Sequence, residues 1–106
     1  MPKYLIRASY TTDGLKGLLK EGGSGRRKAV EQVIKGLGGK LEAFYFAFGE
    51  EDAIVIADLP DGASAAAVSL AVNASGAVKA TTTVLMTPAE MDAAVKKHVK
   101  YRPPGR

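Results

Sequence analysis

The chain has 106 residues, 46% of them hydrophobic and 25% charged, which suffices for one packed domain, is too short for two, and excludes a disordered chain. It has no cysteine and one histidine, so disulfides, thiolate metal sites, cysteine nucleophiles and multi-histidine metal sites are excluded, and no metal site is expected. The formal net charge is +4, with Lys96, Lys97, Lys100, Arg102 and Arg106 crowded at the C-terminus, where cations suit the negative end of a last helix and a solvated tail.

Lys3–Tyr10 (KYLIRASY) predicts a first strand. Thr11 to Gly14 read as turn and cap residues, after which Leu15, Leu18 and Leu19 recur at helical spacing. Glu21-Gly22-Gly23-Ser24-Gly25 breaks this helix, and Ser24 is the expected cap of a second one with Ala29, Val30, Val33, Ile34 and Leu37 on one stripe, ended by Gly38-Gly39. Strands are expected at Lys40–Phe48 and Asp52–Asp58, split by the Gly49-Glu50-Glu51-Asp52 turn. Ala63–Ala74 is a helix without a single charge, and Val78–Met86 a fourth strand, its threonines favouring extended backbone. Thr87-Pro88-Ala89-Glu90 then announces a capped helix with Met91, Ala94, Val95, His98 and Val99 along one side.

This order predicts an α+β fold: a ferredoxin-like plait (βαββαβ plus a C-terminal helix) with a four-stranded antiparallel sheet and helices on one face. Residues 1–100 form the single domain and 101–106 a basic tail. Met1 precedes Pro-Lys-Tyr-Leu-Ile-Arg, which lacks the apolar core of a signal peptide, and the uncharged run from Gly62 to Val78 is too short and polar to span a bilayer. A cytoplasmic protein without membrane contact is expected.

Alternation sorts the faces of each strand. On the second strand Leu41, Ala43, Tyr45 and Ala47 are expected to oppose Phe44, Phe46 and Phe48. On the third, Ala53, Val55 and Ala57 oppose Ile54 and Ile56. Helices cover one face of such a sheet, so an apolar second face predicts a homodimer or higher homo-oligomer packed through it. The alternative is a last helix folded back over that face.

Candidate site residues are few. Arg26-Arg27-Lys28 opens a helix after a glycine-rich loop, where backbone amides and a cation can hold an anion; Arg27 is the expected anchor. The loop lacks the Lys-Ser/Thr ending of a phosphate-binding Walker motif. Tyr10 and Tyr45 are expected to share a face with Ile6 and Val55, offering hydroxyls inside an apolar cavity. Glu51 and Asp52 pair carboxylates at the hairpin, suited to acid-base work or to bonding the turn backbone. His98 fits an interface, and no serine or threonine has an activating partner at a motif spacing, so no catalytic set is assigned.

KYLIRASYT, GLKGLLKEGGSGRR, GGKLEAFYFAFGEED, VIADLPD, NASGAV and TTTVLMTPAEMD together resemble the GYD domain proteins, a small bacterial family, over nearly the whole chain to about Lys97. Gly49 and Asp52 match the Gly-Tyr-Asp signature, and Glu51 stands where its tyrosine is expected. The resemblance implies a ferredoxin-like fold related to dimeric α/β barrel proteins, and it brings no catalytic residues.

The functional expectation is a homo-oligomeric protein that binds a small anionic or apolar molecule between sheet and helices, as a binding protein or a cofactor-independent enzyme. Tyr10, Arg27, Tyr45 and Asp52 are its candidate ligand contacts. The alternative is a non-catalytic structural or regulatory interaction module. Nucleic acid is not an expected partner, because base-stacking sheets carry aromatics on both central strands and DAIVIAD has none.

Overall fold

Alternating residues of β1 (Lys3–Tyr10) send Tyr4, Ile6 and Ala8 into the interior. The elements that follow are α1 (Thr12–Gly36), β2 (Lys40–Phe46), β3 (Ala53–Asp58), α2 (Gly62–Ala74), β4 (Val78–Leu85) and α3 (Pro88–Val95). This computed structural model describes residues 1–106. The architecture is α+β, an open four-stranded sheet in the order β2-β3-β1-β4 with every neighbouring pair antiparallel, plus three helices. No helix is long and apolar enough to cross a membrane.

Local chemistry accounts for the element ends. Thr11 caps α1 by accepting the Gly14 N–H at 3.2 Å. Gly22, at φ 77°, interrupts α1 where the glycine cluster predicts a break, dividing it into two limbs. Helical backbone resumes at Gly23, so Ser24 lies inside the second limb and is not its cap. At the far end the Gly38 N–H donates to Lys35 and the Gly39 N–H to Ile34, with Gly38 left-handed at φ 80°; this is the Schellman ending. Asp61 caps α2, accepting the Ser64 N–H at 2.8 Å. The Asn73 carboxamide accepts the Ala80 N–H at 2.8 Å and donates to the Ala80 carbonyl at 3.1 Å. It thereby occupies part of the free edge of β4, where another strand could otherwise add.

The second strand departs from simple alternation. Leu41 pairs with Ala57 but Ala43 pairs with Ile56, an irregularity that skips Glu42. The facing set changes there: Leu41, Phe44 and Phe46 share the helix side with Ala57, Val55 and Ala53, while Ala43 and Tyr45 stand beside Ile56 and Ile54 on the other. The expected grouping of Leu41 with Ala43 and Tyr45 is therefore corrected. The Glu42 carboxylate lies 3.0 Å from Lys3 Nζ, which also holds Asp58 at 2.8 Å.

The core is a layer between this helix side and the two long helices. Tyr4, Ile34, Ala57, Leu59 and Ala65 form its largest cluster, followed by Ile6, Leu41 and Val55, then Ala8, Ala53 and Val78. Only 13 of 106 residues are buried, so much apolar side chain stays in contact with water. α3 ends at Val95, short of the expected Val99, and none of its residues is buried. It does not fold back over the sheet. The radius of gyration, 16.8 Å, exceeds the ~13 Å of a compact chain of this length, because residues 86–106 stand off the body.

Gly14 marks where β1–α1 docks on α2–β4. The Thr11 N–H donates to the Ala77 carbonyl at 3.0 Å, and a Cβ on Gly14 would overlap that carbonyl oxygen and press on Tyr10 Cδ1. Alanine improves helix propensity by about 1 kcal/mol, but overpacking against fixed backbone costs about 1–3 kcal/mol. Gly14→Ala is expected to lower the unfolding free energy in a urea titration, whereas Gly17→Ala, which meets nothing within 4 Å, is expected to raise it.

Candidate functional site

Tyr10 ends β1 on the helix side of the sheet, at the mouth of the layer between sheet and helices. Its backbone N–H donates to Asp52 Oδ2 at 2.8 Å. The Asp52 N–H donates to the Ala8 carbonyl at 2.8 Å, and its own carbonyl accepts the Ala47 N–H at 2.9 Å. Asp52 thus ties the β2–β3 hairpin to the end of β1. The other two hairpin acids add to this clamp: Glu51 lies 3.6 Å from Arg7 Nη1, and the Glu50 carbonyl accepts the Ser9 hydroxyl at 3.0 Å.

Three hollows meet at the Tyr10 side chain. The innermost, about 70 Å³, is lined by residues such as Ile6, Val30, Phe44, Val55 and Val68, with Arg26 its one charged group. A wider cleft of about 390 Å³ opens between α1 and α2, bordered by Asp13, Gly14, Glu21, Arg26 and Val72. A third, about 430 Å³, runs between the first limb of α1 and the hairpin, over Phe46 and Phe48. The Phe44 and Phe46 rings meet edge to face at 5.1 Å between centroids and form a common wall.

The polar side chains at this junction include Tyr10, Arg26, Glu21, Asp13 and Asp52. Arg26 Nη1 lies 3.9 Å from a Glu21 carboxylate oxygen across the Gly22 break. Burial pushes the Tyr10 phenol above its ordinary value, against the opposing pull of the neighbouring Arg26 guanidinium; Glu21 and Asp52 push it further up. The phenol therefore keeps its proton and serves as a donor. An apolar hollow with one phenol and one guanidinium at its mouth suits a mainly apolar molecule bearing an acceptor oxygen.

Of the four sequence candidates the structure brings together two. Tyr10 and Asp52 both border the cleft beside the hairpin. Tyr45 points to the opposite face of the sheet, paired with Ile54 and 70% exposed, so it does not share a face with Tyr10. Arg27 turns outward, 3.8 Å from Glu31 one helical turn on, and Arg26 rather than Arg27 borders the hollows. Helical phase does not separate the two: Arg26 stands four and seven residues before Val30 and Val33, and Arg27 three and seven before Val30 and Ile34.

The GYD domain family model matches residues 4–95. No curated protein and no solved structure matches the chain. The chain belongs to the GYD domain family.

Two outcomes follow from the geometry at Tyr10. Asp52→Ala leaves the Tyr10 N–H without its acceptor and is expected to cost about 1–3 kcal/mol in chemical denaturation, with Asp52→Asn, which keeps an acceptor oxygen, recovering most of it. The second concerns pH. A phenol whose folded pKa lies above its unfolded value of 10.0 holds its proton longer in the native state, so stability falls as pH rises above 10. Melting temperatures measured through the alkaline range are expected to fall more steeply for the wild type than for Tyr10→Phe.

Proposed function

We propose that this GYD domain protein is a homo-oligomer that binds a small, mainly apolar molecule in the hollow between sheet and helices, with Arg26 and the Tyr10 phenol meeting its acceptor oxygen. The observation that carries this reading is the convergence of three hollows on Tyr10, the innermost having a single charged side chain among otherwise apolar walls. The strand order β2-β3-β1-β4 with α1 and α2 as crossovers supports a ferredoxin-like plait. Half-buried Leu5, Ile54 and Ile56 on the face without helices support pairing of two such sheets in the manner of a dimeric α/β barrel. A cytoplasmic setting completes the proposal. The hollow has no nucleophile with an adjacent base, which favours binding over covalent catalysis.

A thermal-shift screen against aliphatic and aromatic carboxylates, phosphates and quinones tests the reading. A ligand at about ten times its Kd contributes about 1.4 kcal/mol to the native state, which raises the melting temperature by roughly 5 °C or more in a domain of this size. Arg26→Ala is expected to abolish most of that shift and Arg27→Ala to retain it. A screen without any hit favours the non-catalytic interaction module.

A further inference from the structure

Besides the open sheet face, two apolar surfaces of the single chain are exposed. One is concave: the cleft between the first limb of α1 and the hairpin, with Leu15, Leu18, Phe46 and Phe48 around it. Phe48 is fully exposed and Leu15 is 46% exposed. The other is convex: the arm of residues 86–106, on which Met91, Val95, Val99 and Tyr101 are all at least half exposed.

The arm has the marks of a segment with a docking place. Thr87 Oγ1 accepts the Glu90 N–H at 3.1 Å, Glu90 Oε1 accepts the Thr87 N–H at 3.0 Å, and Pro88 opens the first turn. Yet α3 has 8 residues, well below the roughly 12–15 that an isolated helix needs in water. A cap worth about 1 kcal/mol does not close that gap. Persistent helix there requires packing, and its own body buries none of its residues.

Charge and reach select the partner. The arm carries Lys96, Lys97, Lys100, Arg102 and Arg106 against Glu90 and Asp92, whereas Asp52 lines the cleft and Glu50 stands two residues before it in the same hairpin. Glu50 is exposed and has no ion pair. β4 ends beside Lys3, at the opposite end of β1 from Tyr10 and the hairpin, a separation of about 25 Å along the strand. A two-fold axis running across the strands brings the arm end of one copy beside the hairpin end of the other.

We infer that the arm of one copy packs Met91, Val95 and Val99 into the Leu15–Phe48 cleft of a second copy, its cations meeting Glu50, and that the exchange is reciprocal. This rests on the self-association part of the proposed function and adds an interface outside the sheet face. Each arm then closes one side of the junction at Tyr10, so the binding hollow of each copy is completed by its partner.

The chain has no cysteine, so engineered pairs report unambiguously. Differently tagged Phe48→Cys and Val95→Cys chains are co-expressed and oxidised, with Phe48→Cys and Leu70→Cys as the control pair. At least a ten-fold excess of interchain disulfide over the control is expected. No excess, or closure of a Phe48→Cys/Val95→Cys double variant within one chain, overturns arm exchange. Light scattering on the same samples separates the failures: a dimer without excess disulfide overturns the exchange and leaves sheet-face association standing, whereas a monomer overturns both. Lys96→Glu/Lys97→Glu/Lys100→Glu changes only exposed side chains, so its folding is not at risk. It is expected to weaken the dimer about ten-fold at low salt, where such pairs are least screened; an unchanged dimer constant contradicts the exchange.

Discussion

A sheet apolar on both sides but covered by helices on one side sets the terms for everything else in this molecule. Ala53, Val55 and Ala57 of β3 are buried against α1 and α2, while Ile54 and Ile56 of the same strand, with Leu5 beside them, look the other way. The interior that one copy builds for itself is thin. Ile34 and Leu59 are its largest fully buried side chains, and no polar residue is buried. A few hundred Å² of open apolar sheet, at about 25 cal/mol per Å², returns several kcal/mol on association, comparable with the rigid-body entropy that association costs. A sheet-face contact alone is therefore marginal.

The site grows out of the same constraint. Because β1 turns Tyr4, Ile6, Ala8 and Tyr10 toward the helices, the last of these reaches the mouth of the layer just where β1 gives way to α1. The acidic hairpin that borders it is occupied with architecture: Asp52 binds backbone on β1, and Glu51 pairs with Arg7 at the position where the family signature leads one to expect a tyrosine. Carboxylates so engaged are poor candidates for acid-base work, which shifts the chemistry toward the phenol and the guanidinium.

Much of this was legible in the sequence wherever a single local force decides. The first strand, the glycine break in α1, its Gly38-Gly39 ending and the Thr87–Glu90 cap follow from backbone preferences that no tertiary contact overrides. The faces of β2 were not legible. Leu41-Glu42-Ala43-Phe44 satisfies alternation in either register until Glu42 is drawn to Lys3, and that attraction joins residues far apart in the chain. Tyr45 was misplaced for this reason alone. Arg26 and Arg27 are adjacent, chemically identical and both in phase with apolar residues of the second limb, so only the packed structure puts Arg26 at the hollow. The end of α3 was not legible either: the apolar spacing runs on to Val99, but the helix closes at Val95 with none of its residues buried to hold a further turn.

The claim on which the rest turns is that one copy is an incomplete unit. Sedimentation equilibrium across a range of micromolar concentrations tests it most directly. The account predicts a species near twice the 11.1 kDa chain mass, dissociating on dilution. A species that stays at 11.1 kDa at every concentration would contradict it.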